Sequence, residues 1–359
     1  MSKKILVLFV LVAVLLSIVP ATFAQDGIES VCLVTDLGRV NDGTFNQFAH
    51  EGAVEATEDY DLEYEFIETE SETDYAANIQ SCVDEGFEAV VTVGFLIADA
   101  TSAAAEANPD VYFIGVDQFL MDGPENYVGV TFREDQSGFL AGVLAALVAN
   151  ADEEDVIAGV YGIDVPPVKK FRNGFEQGAL FINPDWELDT NILGVYSDSF
   201  IDQAQGISHA NQFIGEGASV IFGAGGPLGS AAIAEAASQG IYVIGVDQDE
   251  YLTTFDEGSV DGSEFLISSA MKRVDQGVYD MIAALAEGDT DLFPGGQMYL
   301  MDAALNGVSL APAHDADIDE EIYEAVDEVM QMLIDGDIDT GVDPASGDLL
   351  DMEEAASSD

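Results

Sequence analysis

The chain has 359 residues, 69 of them acidic against only 9 Lys or Arg, for a formal net charge of -60 at pH 7. That balance excludes nucleic acid as a partner, because phosphate contacts need clustered cations. Self-repulsion on this scale predicts a fold that needs salt and suits a saline habitat, while 48% hydrophobic residues leave material for a sizeable core.

The first residues have the order of an export signal: Lys3 and Lys4, an apolar run over 5–19, then Pro20 and a small-residue end at Ala21-Thr-Phe-Ala24. Residues 1–24 are therefore set aside as a signal peptide. The run is short for a membrane span and no second one follows, so an extracytoplasmic protein is expected, periplasmic or at the cell surface. Ala24-Gln25 offers no cysteine for a lipid anchor. Residues 25–359 are too many for one compact core and suit two lobes. Cys32 and Cys82 fit an oxidising compartment. They could bridge the first strand to a neighbouring helix or remain two buried thiols, and spacing leaves both open.

In chain order, the stretch from Val31 to Gly52 opens with a strand-type run over 31–35, turns through Asn41-Asp42-Gly43 and resumes with helical periodicity. Thr44 and Gln47 have the spacing of a capping box, which predicts the helix start. Further strands are expected over 63–67, 89–93, 111–116 and 127–131, with helices after the first, second, third and fifth. A helix over 134–149 crosses into a second unit, where strands recur over 156–161, 191–196, 219–222 and 241–246. Two strand ends rhyme, Tyr112-Phe-Ile-Gly-Val-Asp117 and Tyr242-Val-Ile-Gly-Val-Asp247, which points to a pseudo-repeat. Short apolar runs alternating with helices read as parallel, doubly wound sheets. A strand over 265–270 and a helix over 274–287 are expected to return to the first lobe. A strand over 297–301 and a helix over 320–334 are expected to finish the second. The division is then 29–132 with 254–290, and 133–253 with 291–336, followed by an acidic mobile tail over 337–359.

Ligands of such sheets bind in the crevice beyond the carboxyl ends of the strands. Asp36, Asn41, Phe45 and Asn46 fall there, as do the strand-end carboxylates Asp117 and Asp247, which can accept paired hydrogen bonds from hydroxyl or ring N–H groups. Gly94 joins these candidates. Gly225 and Gly226, in Phe222-Gly-Ala-Gly-Gly-Pro-Leu-Gly229, lack the Gly-Lys-[Ser/Thr] of a phosphate loop and read as backbone that a ligand can approach closely. Phe45 and Phe200 both fall just beyond strands and could sandwich a flat ring, although Phe45 also begins the apolar stripe of its helix. No His or Cys pair has metal-ligand spacing and no nucleophile elbow is present, so neither metal nor cofactor nor catalysis is expected. Arg39 lies beside the site without an assignable role.

These residues resemble a known family. Thr35-Asp36, Asn41-Asp-Gly-Thr-Phe-Asn-Gln47, Gly129-Val-Thr-Phe-Arg133, Gly138-Phe-Leu-Ala-Gly142, the Asp247 strand and Ser268-Ser-Ala-Met-Lys-Arg273 are similar to the basic membrane protein family, in the right order from about Ser30 to Glu287. That family comprises substrate-binding proteins of ABC transporters, including purine nucleoside receptors. The resemblance implies a two-lobed type I periplasmic-binding fold, each lobe a parallel sheet flanked by helices, closing on a nucleoside. It implies that Phe45 and Phe200 stack the base, Asp36 and Asn46 read its edge, and Asp247 with Lys272 hold ribose hydroxyls. The expected partner is a transporter permease, met by a monomer whose only membrane contact is through it. The chain departs from the family at Asn41-Asp-Gly-Thr44, where Asp-Asp-Lys-Ser is common, and in lacking the lipid-anchor cysteine. Sugar binding on the same fold, a sensor domain for a signalling partner and a nucleoside hydrolase are the competing readings.

Overall fold

The computed structural model describes residues 27–289 and 292–350, so the proposed export signal lies outside the described residues. Strands β1 (Ser30–Leu37), β2 (Glu63–Thr69), β3 (Ala89–Val93), β4 (Tyr112–Val116) and β5 (Tyr127–Phe132) alternate with helices α1 (Phe45–Asp59), α2 (Tyr75–Glu85) and α3 (Ala98–Ala107). The chain then passes through α4 (Glu134–Ala151) into β6 (Ile157–Tyr161), β7 (Ile192–Tyr196), β8 (Val220–Ala224), β9 (Tyr242–Asp247) and β10 (Leu266–Lys272). Between these lie α5 (Pro166–Ile182), α6 (Gln203–Gly215) and α7 (Pro227–Ser238); α8 (Val274–Ala286), β11 (Met298–Met301), β12 (Val308–Leu310) and α9 (Glu320–Asp335) complete the described elements.

Two six-stranded sheets result, ordered β11-β5-β4-β3-β1-β2 and β12-β10-β9-β8-β6-β7. Apart from β12, which runs antiparallel to β10, all pairings are parallel. Adding five to each of the numbers β1 to β5 turns the first order into the second, so the rhyming strand ends belong to equivalent strands, β4 and β9. The central strands β3, β6 and β8 are buried along their whole length, which explains why they read as apolar runs without alternation.

Three expectations are corrected here. Strand β10 belongs to the second sheet, paired with β9 from Leu266↔Val243 to Met271↔Asp247, because the chain crosses between halves after this strand and not before it. Strand β11 belongs to the first sheet, beside β5, because α8 packs on α1 in that half and the strand after it completes a parallel unit. The segment 337–350 is not a loose tail: Thr340 Oγ1 donates to Asp135 Oδ2 (2.5 Å), Asn173 Nδ2 donates to the Gly347 carbonyl (2.6 Å) and Lys169 pairs with Asp348 (3.0 Å). A carboxylate, an amide and a lysine of the second half hold a hydroxyl, a backbone carbonyl and a carboxylate of this segment, which composition does not reveal. Residues 351–359 lie outside the described residues.

The chain thus passes between halves three times, at Arg133, at Arg273 and between β11 and β12. Helix α4, at the first crossing, is buried on nearly every face, as its continuous apolar composition demands. It lies so close to α5 that a Cβ on Gly138 or Gly142 would strike the carbonyls of Phe171 or Phe175, and one on Gly174 or Gly178 those of Asp135 or Phe139. Cys32 on β1 is disulfide-bonded to Cys82 on α2, Cα to Cα 5.9 Å, bracing the first half where strand meets helix. Among the described residues no helix is long and apolar enough to cross a membrane.

Candidate functional site

Between the carboxyl ends of the two sheets lies a cleft with about 660 Å³ of empty space, the solvent at its open mouth included. Ten of the sequence candidates line it: Asp36, Phe45, Asn46, Gly94 and Asp117 from the first half, and Phe200, Gly225, Gly226, Asp247 and Lys272 from the second. Asn41 does not. It is exposed and borders an outer groove with Gln203 and Leu252, because the turn at Gly43 (φ 80°) carries it away from the cleft.

The loop that brings Asp36, Phe45 and Asn46 inward is held by Asp42. Its carboxylate accepts the N–H groups of Thr44 (3.0 Å), Asn46 (3.3 Å) and Gln47 (3.1 Å), capping α1. The expected capping box is therefore corrected. Thr44 Oγ1 is buried and makes no hydrogen bond, and Gln47 Oε1 accepts from Gly43 N–H (3.0 Å) instead. The positive φ of Gly43 places Asp42, not Thr44, over the first turn. Asn46 also serves this loop, accepting from Asp36 N–H (3.1 Å) and donating to Asp42 (2.9 Å), which leaves one amide N–H uncommitted.

Asp36 is buried at the end of β1. Its Oδ1 accepts from the Leu37 N–H (2.7 Å) and from the hydroxyl of Tyr75, at the start of α2. Burial raises its pKa to about 6, against the lowering effect of those two donors. Oδ2 lies against Gly94, whose φ of +104° and lack of space for a Cβ make glycine necessary there.

Asp117 and Asp247 end the rhyming strands with φ of 61° and 65°, a left-handed turn that aims both carboxylates at the cavity. Lys272 is buried at the end of β10, with Nζ 2.6 Å from Asp117 Oδ2, 2.9 Å from Glu134 Oε1 and 4.9 Å from the centre of the Phe45 ring. Burial alone would lower its pKa, but Asp117, Glu134 and Asp247 outweigh it and hold the ammonium charged. Asp117 Oδ1 is buried and without a partner. Burial pushes Asp117 up despite Lys272, and pushes Asp247 up to about 7, again opposed by Lys272.

In the second half, Phe200 O accepts from Leu228 N–H (2.9 Å), tying the aromatic loop to α7. The ring lies against Gly162, and Gly162 in turn packs on Gly225. These glycines thus make room for an aromatic ring as well as for a ligand. Phe45 and Phe200 line the same cavity from opposite halves.

Sequence reading missed the apolar wall formed by Val165, Pro167, Val168 and Phe171, which follows β6 just as Phe45 follows β1. The same strand-end rule could have found it. It also missed Tyr75 and the buried Glu250, which accepts from Val246 N–H (3.0 Å) and Thr254 Oγ1 (2.5 Å) and braces the turn after Asp247. Arg39 is exposed and carries none of the ion pairs made by the other six described Lys and Arg residues.

Two equivalent α/β halves, three crossings and a cavity between the sheet ends, walled by apolar side chains around a few buried charges, define the two-lobed periplasmic-binding fold. Solved structures share the fold. A solute-binding protein of an ABC transporter system from Aeropyrum pernix superposes with a TM-score of 0.74 at 23% identity, covering 86% of this chain and 92% of that one. Residues 29–338 match the family described as ABC transporter substrate-binding protein, PnrA-like. The chain is 32% identical over 319 residues to the ABC transporter nucleoside-binding protein BmpA of Lactococcus lactis, spanning 85% of this chain and 87% of the relative. It is 31% identical over 328 residues to a CD4+ T-cell-stimulating antigen of Listeria monocytogenes, spanning 86% and 87%. The chain belongs to this PnrA-like, basic membrane protein family of ABC transporter substrate-binding proteins, which is a family of binding proteins and not of enzymes.

Proposed function

We propose that the cleft captures a nucleoside, a purine nucleoside foremost, outside the cytoplasm, and that the protein delivers it unchanged to a transporter permease as a monomer. The observation that carries this reading is the composition of one cavity: an aromatic ring from each half, Phe45 and Phe200, beside buried carboxylates at Asp36, Asp117 and Asp247. A flat base suits the rings, and ribose hydroxyls suit acceptors such as the unpartnered Asp117 Oδ1. The name of the Lactococcus relative supports the same ligand class. Asp36 and the free N–H of Asn46 are assigned to the base edge, and Asp247, Asp117 and Lys272 to the ribose.

Capture works by closure. Each half holds part of the site, so a bound ligand stabilises the closed arrangement by its differential affinity, with bending at the three crossings. The test is isothermal titration with inosine, adenosine, guanosine, uridine and a panel of sugars. Binding of purine nucleosides in preference to the rest is expected; binding of sugars alone would overturn the assignment.

A further inference from the structure

The ammonium in the cleft is the end of a buried chain of charges. Glu134 Oε1 forms an ion pair with Lys272 (2.9 Å) and Oε2 one with Lys170 (2.5 Å), and Lys170 donates a hydrogen bond to the Phe132 carbonyl (2.9 Å). With Asp117 this makes an alternating series, Asp117, Lys272, Glu134, Lys170, balanced in charge and almost free of solvent. Such a series holds its geometry because any member that moves leaves a buried charge uncompensated.

Glu134 and Lys170 do not line the cavity, yet their places in the fold connect it to the first two crossings. Glu134 directly follows Arg133 at the first crossing, and Lys272 directly precedes Arg273 at the second. Lys170 sits on α5, and the close glycine contact of α4 with α5 sets it opposite Glu134. Lys272 donates one N–H to Asp117 and stands in ion-pair contact with Glu134 Oε1, so these two carboxylates fix where the ammonium sits and which way it faces the cleft.

We propose that Glu134 and Lys170 are positioning residues of the cleft, holding the Lys272 ammonium at the point where it meets the ligand and tying that point to the crossings on which the halves turn. The nucleoside reading enters only through the choice of probe. The chain has five lysines, which makes nitrogen-15 lysine ammonium spectra tractable, with Lys169, partly exposed, as internal control. In ligand-free protein, Glu134→Gln is expected to shift the Lys170 and Lys272 signals together while leaving Lys169 in place. Inosine added to the wild type is expected to shift Lys272 and, through Glu134, Lys170. The charge-balanced double variant Glu134→Gln/Lys170→Met is expected to keep its circular dichroism and to bind inosine at least ~10-fold more weakly. A folded double variant with wild-type affinity, or a Lys170 signal that follows neither perturbation, overturns the proposal. Should a variant fail to fold, the wild-type titration decides. A wild type that ignores inosine defeats the nucleoside reading, while the ligand-free comparison still judges the charge series.

Discussion

Asp117 and Asp247 close two strands of nearly the same sequence, in equivalent places of the two sheets, with the same left-handed turn. Their surroundings differ. Asp117 is paired with Lys272, and the Gln118 that follows stays within its own half, donating to Thr92 Oγ1 (3.0 Å) and the Gly94 carbonyl (3.0 Å). Among the described residues no ion pair reaches Asp247, and Gln248 after it donates across the cleft to the Thr44 carbonyl (3.2 Å), beside a second bridge from Thr253 Oγ1 to the Gly43 carbonyl (2.8 Å). One copy of the motif is built into the fixed charge series, and the other carries the contacts between halves. Repetition of a local sequence reproduces a local backbone; it does not reproduce the partners.

The comparison can be broken most forcefully at Asp117. Asp117→Ala removes the hydrogen-bonded partner of the buried Lys272, leaves Glu134 as its one close ion pair and should cost about 3–5 kcal/mol of unfolding free energy. Asp247→Asn removes a carboxyl that burial disfavours in its charged form, and should be neutral or stabilising in the same urea titration. Equal losses would show that the two aspartates are energetically alike.

The aromatic pair asks the question of the ligand. Phe45→Ala should weaken nucleoside binding by about 1–3 kcal/mol, the scale of base stacking, and Phe200→Ala should do the same from the other half. Unchanged affinity with lowered thermal stability would make Phe45 a core residue of α1.

Acidity gives a further test at the second aspartate. Asp247 titrates at about 7 in the fold, and Glu250 beside it also at about 7, both raised by burial. The folded state therefore holds protons that the unfolded chain releases near pH 4, so these groups favour folding at low pH and lose that contribution as pH rises through about 4–7. Between pH 8 and 5.5, ligand-free wild type should gain about 2 kcal/mol from Asp247 alone, and Asp247→Asn should flatten the profile. Differential scanning calorimetry across pH reads both.

The smallest effect expected is at the glutamines. Gln248→Ala should cost about 1 kcal/mol of ligand affinity and enlarge the ligand-bound radius of gyration by scattering, since a bond made between the halves is lost. Gln118→Ala should lower stability and leave closure alone.

Much of this architecture could be read beforehand. The runs over 89–93 and 241–246 identified buried strands, and the residues at their ends identified the cleft, because strand ends in parallel sheets converge on one crevice. Sheet membership was different. Strands β10 and β11 were assigned to the wrong halves, since an apolar run carries no mark of the neighbour it will bond. The cap was misread for a related reason: Thr44 and Gln47 have the right spacing, but Asp42 reached the helix end first once Gly43 had turned the chain.

By itself, then, the amino-acid order determined the alternation of strands and helices, the two copies of the strand-end aspartate and the apolar content of α4, all of which depend on neighbours a few residues apart. Only the tertiary structure decided that Lys272 would meet Asp117 rather than Asp247, that Asn41 would leave the site and Tyr75 support it, and that Glu134 would lie between two lysines. Those outcomes rest on contacts between residues far apart in the chain, such as the 155 positions between Asp117 and Lys272. The energy of a buried charge depends on what closes around it, and that is set by packing across the whole molecule.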